Sequence, residues 1–188
     1  GAVTITGGKG ADTLTGGSGD DVIVASDSDM IDGGDAADND TVRFGAAVSK
    51  LNLLDGDLVD IDNIVITNTK AATYDFSLQG EVFNITGGSG NDTIITKAGT
   101  AGDTIDAGAG NDLLVAEETD ALIDGGAGTD TVKFTSNVST ALSDAELVNV
   151  EYVVITNTVN SITYDFSSQT EGLDISGFTG NDTIKGGS

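Results

Sequence analysis

The 188-residue chain contains no cysteine, no proline, no tryptophan and no histidine. Without cysteine there is no disulfide framework, and redox compartment cannot be read from bridges. Lysine and arginine together number 7, too few to neutralise a row of phosphates, which excludes nucleic acid and anionic membrane surfaces as partners. No apolar run approaches the roughly 18 residues of a membrane span, so membrane insertion is not expected. No basic-apolar leader opens the chain, and any export signal is expected outside this segment. The lack of histidine, tryptophan and cysteine, with so few bases, argues against an enzyme, and no catalytic residue is expected.

What the chain has in abundance is acid. There are 31 acidic residues and a formal net charge of −24, and the acid is 25 Asp against 6 Glu. A merely solubilising surface would use Glu freely. Aspartate set beside glycine points to carboxylates held at tight turns, and multivalent cations are the natural use of that arrangement. High net charge can also prevent collapse. Against disorder, Val, Ile, Leu and Phe recur at strand-like spacing and 38% of the chain is hydrophobic. Folding conditional on a bound cation satisfies both observations.

Internal repetition dominates the organisation. "TVRF" at Thr41–Phe44 returns as "TVKF" at Thr131–Phe134, "VITNT" from Val65 returns from Val154, and "TYDFS" from Thr73 returns from Thr163. "FNITGGSGNDTI" from Phe83 is answered by "LDISGFTGNDTI" from Leu173. The expected modules are 1–84 and 85–174, with 175–188 opening a third. Each begins with a glycine–aspartate region (5–40 and 85–130) and ends in a glycine-poor, strand-rich region (41–84 and 131–174). The matching phase of the two ends suggests a section of a longer array. Helical periodicity is nearly absent; "SDAEL" at Ser143–Leu147 has capping-box spacing and predicts a single turn.

The glycine–aspartate stretches follow G-G-x-G-x-D-x-U-x, with U a large aliphatic. Glycines at positions 1, 2 and 4 permit positive φ and uncover carbonyls, and Asp at 6 ends the turn. Positions 7 to 9 form a minimal strand whose middle residue points inward: Leu14, Ile23, Ile94, Leu114, Val132 and Ile184. Nine residues give one turn and one strand, and eighteen complete a coil of a flattened solenoid. Ca²⁺ takes six to eight oxygens, more than one loop supplies, so an ion must sit between loops stacked a coil apart. The spacing pairs Asp112 with Asp130 and Asp92 with Asp112. It pairs Asp103 with Asp120, with Glu117 or Glu118 nearby. In the first module Asp21 pairs with Asp38 or Asp40, and Asp12 with Asp27 or Asp29. That makes about five Ca²⁺ sites between loops, bringing +10 against the −24.

These residues resemble the repeats-in-toxin (RTX) nonapeptide of secreted bacterial toxins, proteases, epimerases, adhesins and surface-layer proteins. The resemblance implies an all-β, right-handed parallel β-roll or β-helix solenoid with Ca²⁺ held by loop carbonyls and the sixth-position Asp. By motif match that role falls on Asp12, Asp21, Asp92, Asp112, Asp130 and Asp182. "GGDAADNDTV" (Gly33–Val42) carries two extra residues, leaving Asp38 and Asp40 both open as the ligand. "ASDSDMID" and "AEETDALID" have lost their glycines, which weakens the second-side residues Asp27, Asp29, Asp103 and Asp120. The motif covers under half the chain, and the strand-rich interruptions are similar to those of surface-layer proteins and large repetitive adhesins.

The expectation is a structural Ca²⁺-binding segment of an exported bacterial surface-layer or surface fibre protein, folding outside the cell and associating with copies of itself. An adhesin module for glycans or ice is the alternative, with "TNT" at Thr67–Thr69 and Thr156–Thr158 as its only hint. A β-helix polysaccharide enzyme is a third. Asp62 and Glu151, before the "VIT" strands, are expected to be solvated. "GGKG" at Gly7–Gly10 lacks the Ser or Thr of a phosphate loop, and "DSDMIDGG" at Asp27–Gly34 has its glycine one place late for an EF-hand.

Overall fold

Threonine, valine and isoleucine in three- to five-residue runs favour extended backbone, and glycine and aspartate break each run. The computed structural model describes residues 1–187 apart from 46–49, 55, 98–101, 118, 136–141, 157–162 and 178–180. Every strand pairing within these residues is parallel. Parallel neighbours need a long return path, and here the path is one coil of a β-solenoid of about eight turns.

Between Asn84 and Ile155 the chain visits two large sheets alternately, apart from the short pair Ala109–Gly110 and Ala127–Gly128. Asn84–Thr86, Thr104–Asp106, Leu122–Asp124 and Leu147–Val148 belong to an eight-stranded sheet. Thr93–Ile95, Leu113–Ala116, Thr131–Phe134 and Tyr152–Ile155 belong to a seven-stranded one. The middle residue of each short strand faces the interior: Ile23, Ile94, Leu114 and Val132 are fully buried and Leu14 is 8% exposed. Ile184 differs at 45%, because its strand pairs only with Thr163–Asp165 and no described coil covers it.

Coil length follows the sequence region. Leu113 pairs with Thr131, 18 positions on, and Thr104 with Leu122, again 18. In the coils that run through the glycine-poor regions Thr41 pairs with Asn63, 22 positions on, and Ile123 with Leu147, 24 on. The longer coils enclose the aromatics. Phe44, Tyr74, Phe76, Phe83, Phe134, Tyr164 and Phe166 are each at most 1% exposed, and the Phe76 and Phe83 rings meet at 5.9 Å and 54°. No aromatic occurs in 5–40 or 85–130.

The two copies of the repeat do not face the same way. "TVRF" (Thr41–Phe44) lies in the eight-stranded sheet and "TVKF" (Thr131–Phe134) in the seven-stranded one. The offset of 90 residues therefore spans four and a half coils. "SDAEL" forms the single expected turn: the Ser143 amide donates to Glu146 Oε2 at 2.6 Å and the Glu146 amide to the Ser143 carbonyl at 3.0 Å.

Candidate metal site

The loops stack through their aspartates. In the second module one Asp92 oxygen accepts the Ala72 amide (2.9 Å), Asp112 accepts the Asp92 amide (2.6 Å), and Asp130 accepts the Asp112 amide (2.7 Å). In the first module Asp21 accepts the Val3 amide (2.7 Å) and Asp40 the Asp21 amide (2.7 Å). Each carboxylate thus reaches back one coil. The residue before it reaches forward: Asn91 Oδ1 accepts the Asn111 amide and Asn111 Oδ1 the Thr129 amide, at 3.0 and 3.1 Å. Together they hold successive loops in register without a side-chain base.

The second oxygen of these carboxylates is the informative one. Oδ2 of Asp12, Asp21, Asp40, Asp92, Asp112 and Asp130 is buried with no hydrogen-bond partner. Five of the six residues are at most 2% exposed, and Asp12 is half-buried. An ionised carboxylate is acceptor-only, and burying one of its oxygens without a donor is costly unless a cation meets it. Carbonyls gather beside these atoms. A Cβ built on Gly16 would lie less than 3.0 Å from both Asp21 Oδ2 and the Gly33 carbonyl oxygen, and one on Gly125 less than 3.0 Å from Asp130 Oδ2 and the Asn149 carbonyl oxygen. A Cβ on Gly7 would stand 3.1 Å from Oδ2 of both Asp12 and Asp29. Among the described residues no three carboxylates gather at one point. The donor set is therefore one or two carboxylates plus backbone carbonyls, all hard oxygen, which suits Ca²⁺ and not a softer metal.

Burial leaves its mark on the acids. Asp112 is pushed up to about 6, first by desolvation and then by Asp130 and Asp92, against the opposing Asp92 amide. Desolvation likewise raises Asp40 and Asp130, with their acidic neighbours adding to it, and raises Asp103. Tyr74, buried beside Asp92, is pushed up to about 12.

The remaining predicted residues divide. Of Asp38 and Asp40, the ladder position is taken by Asp40, while Asp38 stands outside it and accepts the Gly19 amide. Of Asp27 and Asp29, Asp29 is 1% exposed and accepts the Asp12 amide at 2.9 Å, and Asp27 lies on the surface beside Ser28. Asp103 accepts the Phe83 amide (2.8 Å), and Asp120 accepts the Asp103 amide (3.1 Å). In the glycine-less loops the second oxygen is occupied. Asp29 Oδ2 accepts the Ser26 amide (2.7 Å) and Asp120 Oδ2 the Glu117 amide (2.9 Å). Asp120 is raised to about 6 by desolvation, despite those hydrogen bonds. Glu117 is 6% exposed and accepts the Thr135 hydroxyl. Asp182 is half-buried before Thr183–Lys185, and its loop at 178–180 lies outside the described residues, as does Glu118.

Asp62 and Glu151 are half-buried and do more than meet solvent: Asp62 Oδ2 accepts the Asp40 amide at 2.8 Å and Glu151 Oε2 the Asp130 amide at 2.7 Å. Each occupies the ladder position of the next coil. Neither follows a glycine loop, so the nonapeptide pattern could not find them. The one available signal was their equivalent place in the two modules.

A parallel β-solenoid whose turns carry a ladder of half-satisfied aspartates defines a cation-binding repeat scaffold. The family model of the RTX calcium-binding nonapeptide repeat matches in four copies, over residues 1–27, 84–100, 97–132 and 175–188, and these segments are RTX repeats. Calcium is the ion such repeats bind. No curated protein and no solved structure matches the chain. No helix of the described residues is long and apolar enough to cross a membrane.

Proposed function

We propose that this chain is a structural, non-catalytic segment of an exported bacterial surface-layer or surface fibre protein, folded by Ca²⁺ outside the cell. RTX repeat proteins are typically exported calcium binders, which supports the setting. The observation that carries the reading is the set of six buried, partnerless Oδ2 atoms on Asp12, Asp21, Asp40, Asp92, Asp112 and Asp130. In low calcium these charges repel and the loops open, and Ca²⁺ closes each pair of loops, so binding energy becomes folding energy. Asp103, Asp29 and Asp120 are the proposed second-side carboxylates, with Oδ2 of Asp29 and Asp120 already accepting a backbone amide. The organisation as tandem modules 1–84 and 85–174 with a third from 175, the count of about five sites, and association with further copies belong to the same proposal.

The adhesin alternative needs a regular outward array. The outward row Thr73, Thr93, Leu113, Thr131 and Tyr152 mixes sizes and chemistries, which favours the structural reading. Circular dichroism and melting with calcium and with EGTA test the proposal. We expect EGTA to abolish much of the β signal and lower the melting temperature. Unchanged signal and melting would overturn calcium-driven folding. Calcium-dependent growth in light scattering tests self-association.

A further inference from the structure

We propose that each cation column runs one coil beyond its glycine loops, ending in a Ca²⁺ site shared with the first glycine-poor coil. In the first module the site is formed by Asp40, the Asp60 carbonyl and Asp62. In the second it is formed by Asp130, the Asn149 carbonyl and Glu151. This rests on the calcium reading above but adds Asp60, Asp62, Asn149 and Glu151, which lie outside every matched repeat segment.

Three observations converge on the first of these points. Asp40 is 1% exposed and its Oδ2 has no partner. A Cβ on Gly33 would lie less than 3.0 Å from both Asp40 Oδ2 and the Asp60 carbonyl oxygen, so the two oxygens face one small space. Asp62 reaches back to the Asp40 amide as Asp40 reaches back to Asp21, which brings a second carboxylate to the same step of the ladder. The Asp60 carbonyl stands to Gly33 as the Gly33 carbonyl stands to Gly16, beside Asp21 Oδ2. A cleft of about 260 Å³ lined by Asp60, Asp62 and Glu81 lies at this coil and gives an ion an acidic approach from solvent.

The second module repeats the arrangement with different side chains. Asp130 is fully buried with Oδ2 unpartnered. A Cβ on Gly125 would lie less than 3.0 Å from Asp130 Oδ2 and from the Asn149 carbonyl oxygen. Glu151 accepts the Asp130 amide. Among the described residues Asp60 and Asn149 are also the non-glycine residues with positive φ, at 51° and 52°. Aspartate and asparagine tolerate that conformation better than other side chains. They turn the chain one position before the place where the preceding coils use the positive-φ glycines Gly34 and Gly126. Two copies half a coil out of phase, with different residues, keep the same oxygens together.

Bound calcium per chain, counted by equilibrium dialysis on the full chain, tests the inference. D62N/E151Q keeps a side-chain oxygen for each amide while removing the charge. We expect two ions fewer than in the unaltered chain, one fewer in each single variant, and no change in D75N, an acid outside the ladder. An unaltered count in D62N/E151Q overturns these sites and leaves the motif loops standing. An equal loss in D75N overturns them too, because general surface charge would then explain the result. An unaltered chain that binds no calcium overturns both readings. Should D62N/E151Q fail to fold in calcium, terbium-soaked crystals of the unaltered chain decide. Anomalous peaks are expected beside Asp40–Asp62 and Asp130–Glu151, and none at either place overturns the proposal.

Discussion

The glycine–aspartate coils and the glycine-poor coils solve the same problem with opposite means. Both must hold parallel strands in stacked rungs. The short coils, at 17 to 20 positions a turn, enclose only aliphatics such as Ile105, Ala107 and Ala116, and they collect buried acids at their turns. The long coils enclose phenylalanine and tyrosine, and buried glutamines tie their turns together. Gln79 and Gln169, for example, donate to the Leu54 and Leu142 carbonyls at 2.8 and 2.9 Å. Burying a large aromatic stabilises by several times what an alanine does. The glycine-poor coils therefore stand on apolar burial, whereas on the proposed calcium reading the glycine–aspartate coils need a cation to offset repulsion. On that reading one chain alternates a metal-dependent material with a metal-independent one.

Removing calcium breaks this comparison most severely. With EGTA, we expect amides of 104–116 and 122–132 to lose hydrogen-exchange protection at least tenfold more than those of 64–85. Uniform loss along the chain would show that the two regions are one cooperative unit. Truncating the aromatic core comes next. Phe134→Ala, at a fully buried site, is expected to lower stability by about 3–5 kcal/mol in saturating calcium, as read by urea unfolding. A similar loss from Ala107→Gly would mean that the short coils are held by packing as well. Gly126→Ala places a methyl against the Gly108 carbonyl at φ +82°, and about 1–3 kcal/mol should go. The same change at Gly172, which has open space, should be nearly silent.

Acidity separates the regions more gently. The folded chain without metal raises Asp112 and Asp120 to about 6, above the unfolded value near 3.9, so it holds protons more tightly than the unfolded chain. That stabilisation is fully present below the unfolded value and is lost as pH rises through about 6. In EGTA the chain should melt higher at pH 5 than at pH 7. With calcium the order should reverse, because protons compete with the metal for the same oxygens. The smallest effect belongs to the exposed Lys185–Asp165 pair at 2.7 Å. Lys185→Gln should leave the melting temperature unchanged within error.

Much of this was legible from spacing. Three consecutive nine-residue units bring the loops at 107 and 125 to one side, and Ala109 and Ala127 do pair there. Less was legible where the count slips or the glycines vanish. Two extra residues left Asp38 and Asp40 indistinguishable on paper, because either lies within a turn of the right place. Burial separates them, since Asp40 must stack under Asp62. Asp29 and Asp120 kept the ladder position without glycine, but an amide three residues back now occupies their second oxygen. Asp62 and Glu151 looked like outward acids of an alternating strand, and only the coil beneath them shows that they finish a column.

By itself, then, the sequence determined the coil unit and the residue type gathered at its turns, because a nine-residue period with glycine and aspartate permits little else, and its resemblance to the RTX repeat implied the parallel solenoid. The tertiary structure decided which acids share a step of the ladder and which keep a free oxygen. It also decided that the second module presents its main column on the other sheet. The reason is geometric: a repeat of 90 residues fills four and a half coils only once the longer turns of the aromatic region are folded, and no local pattern records that sum.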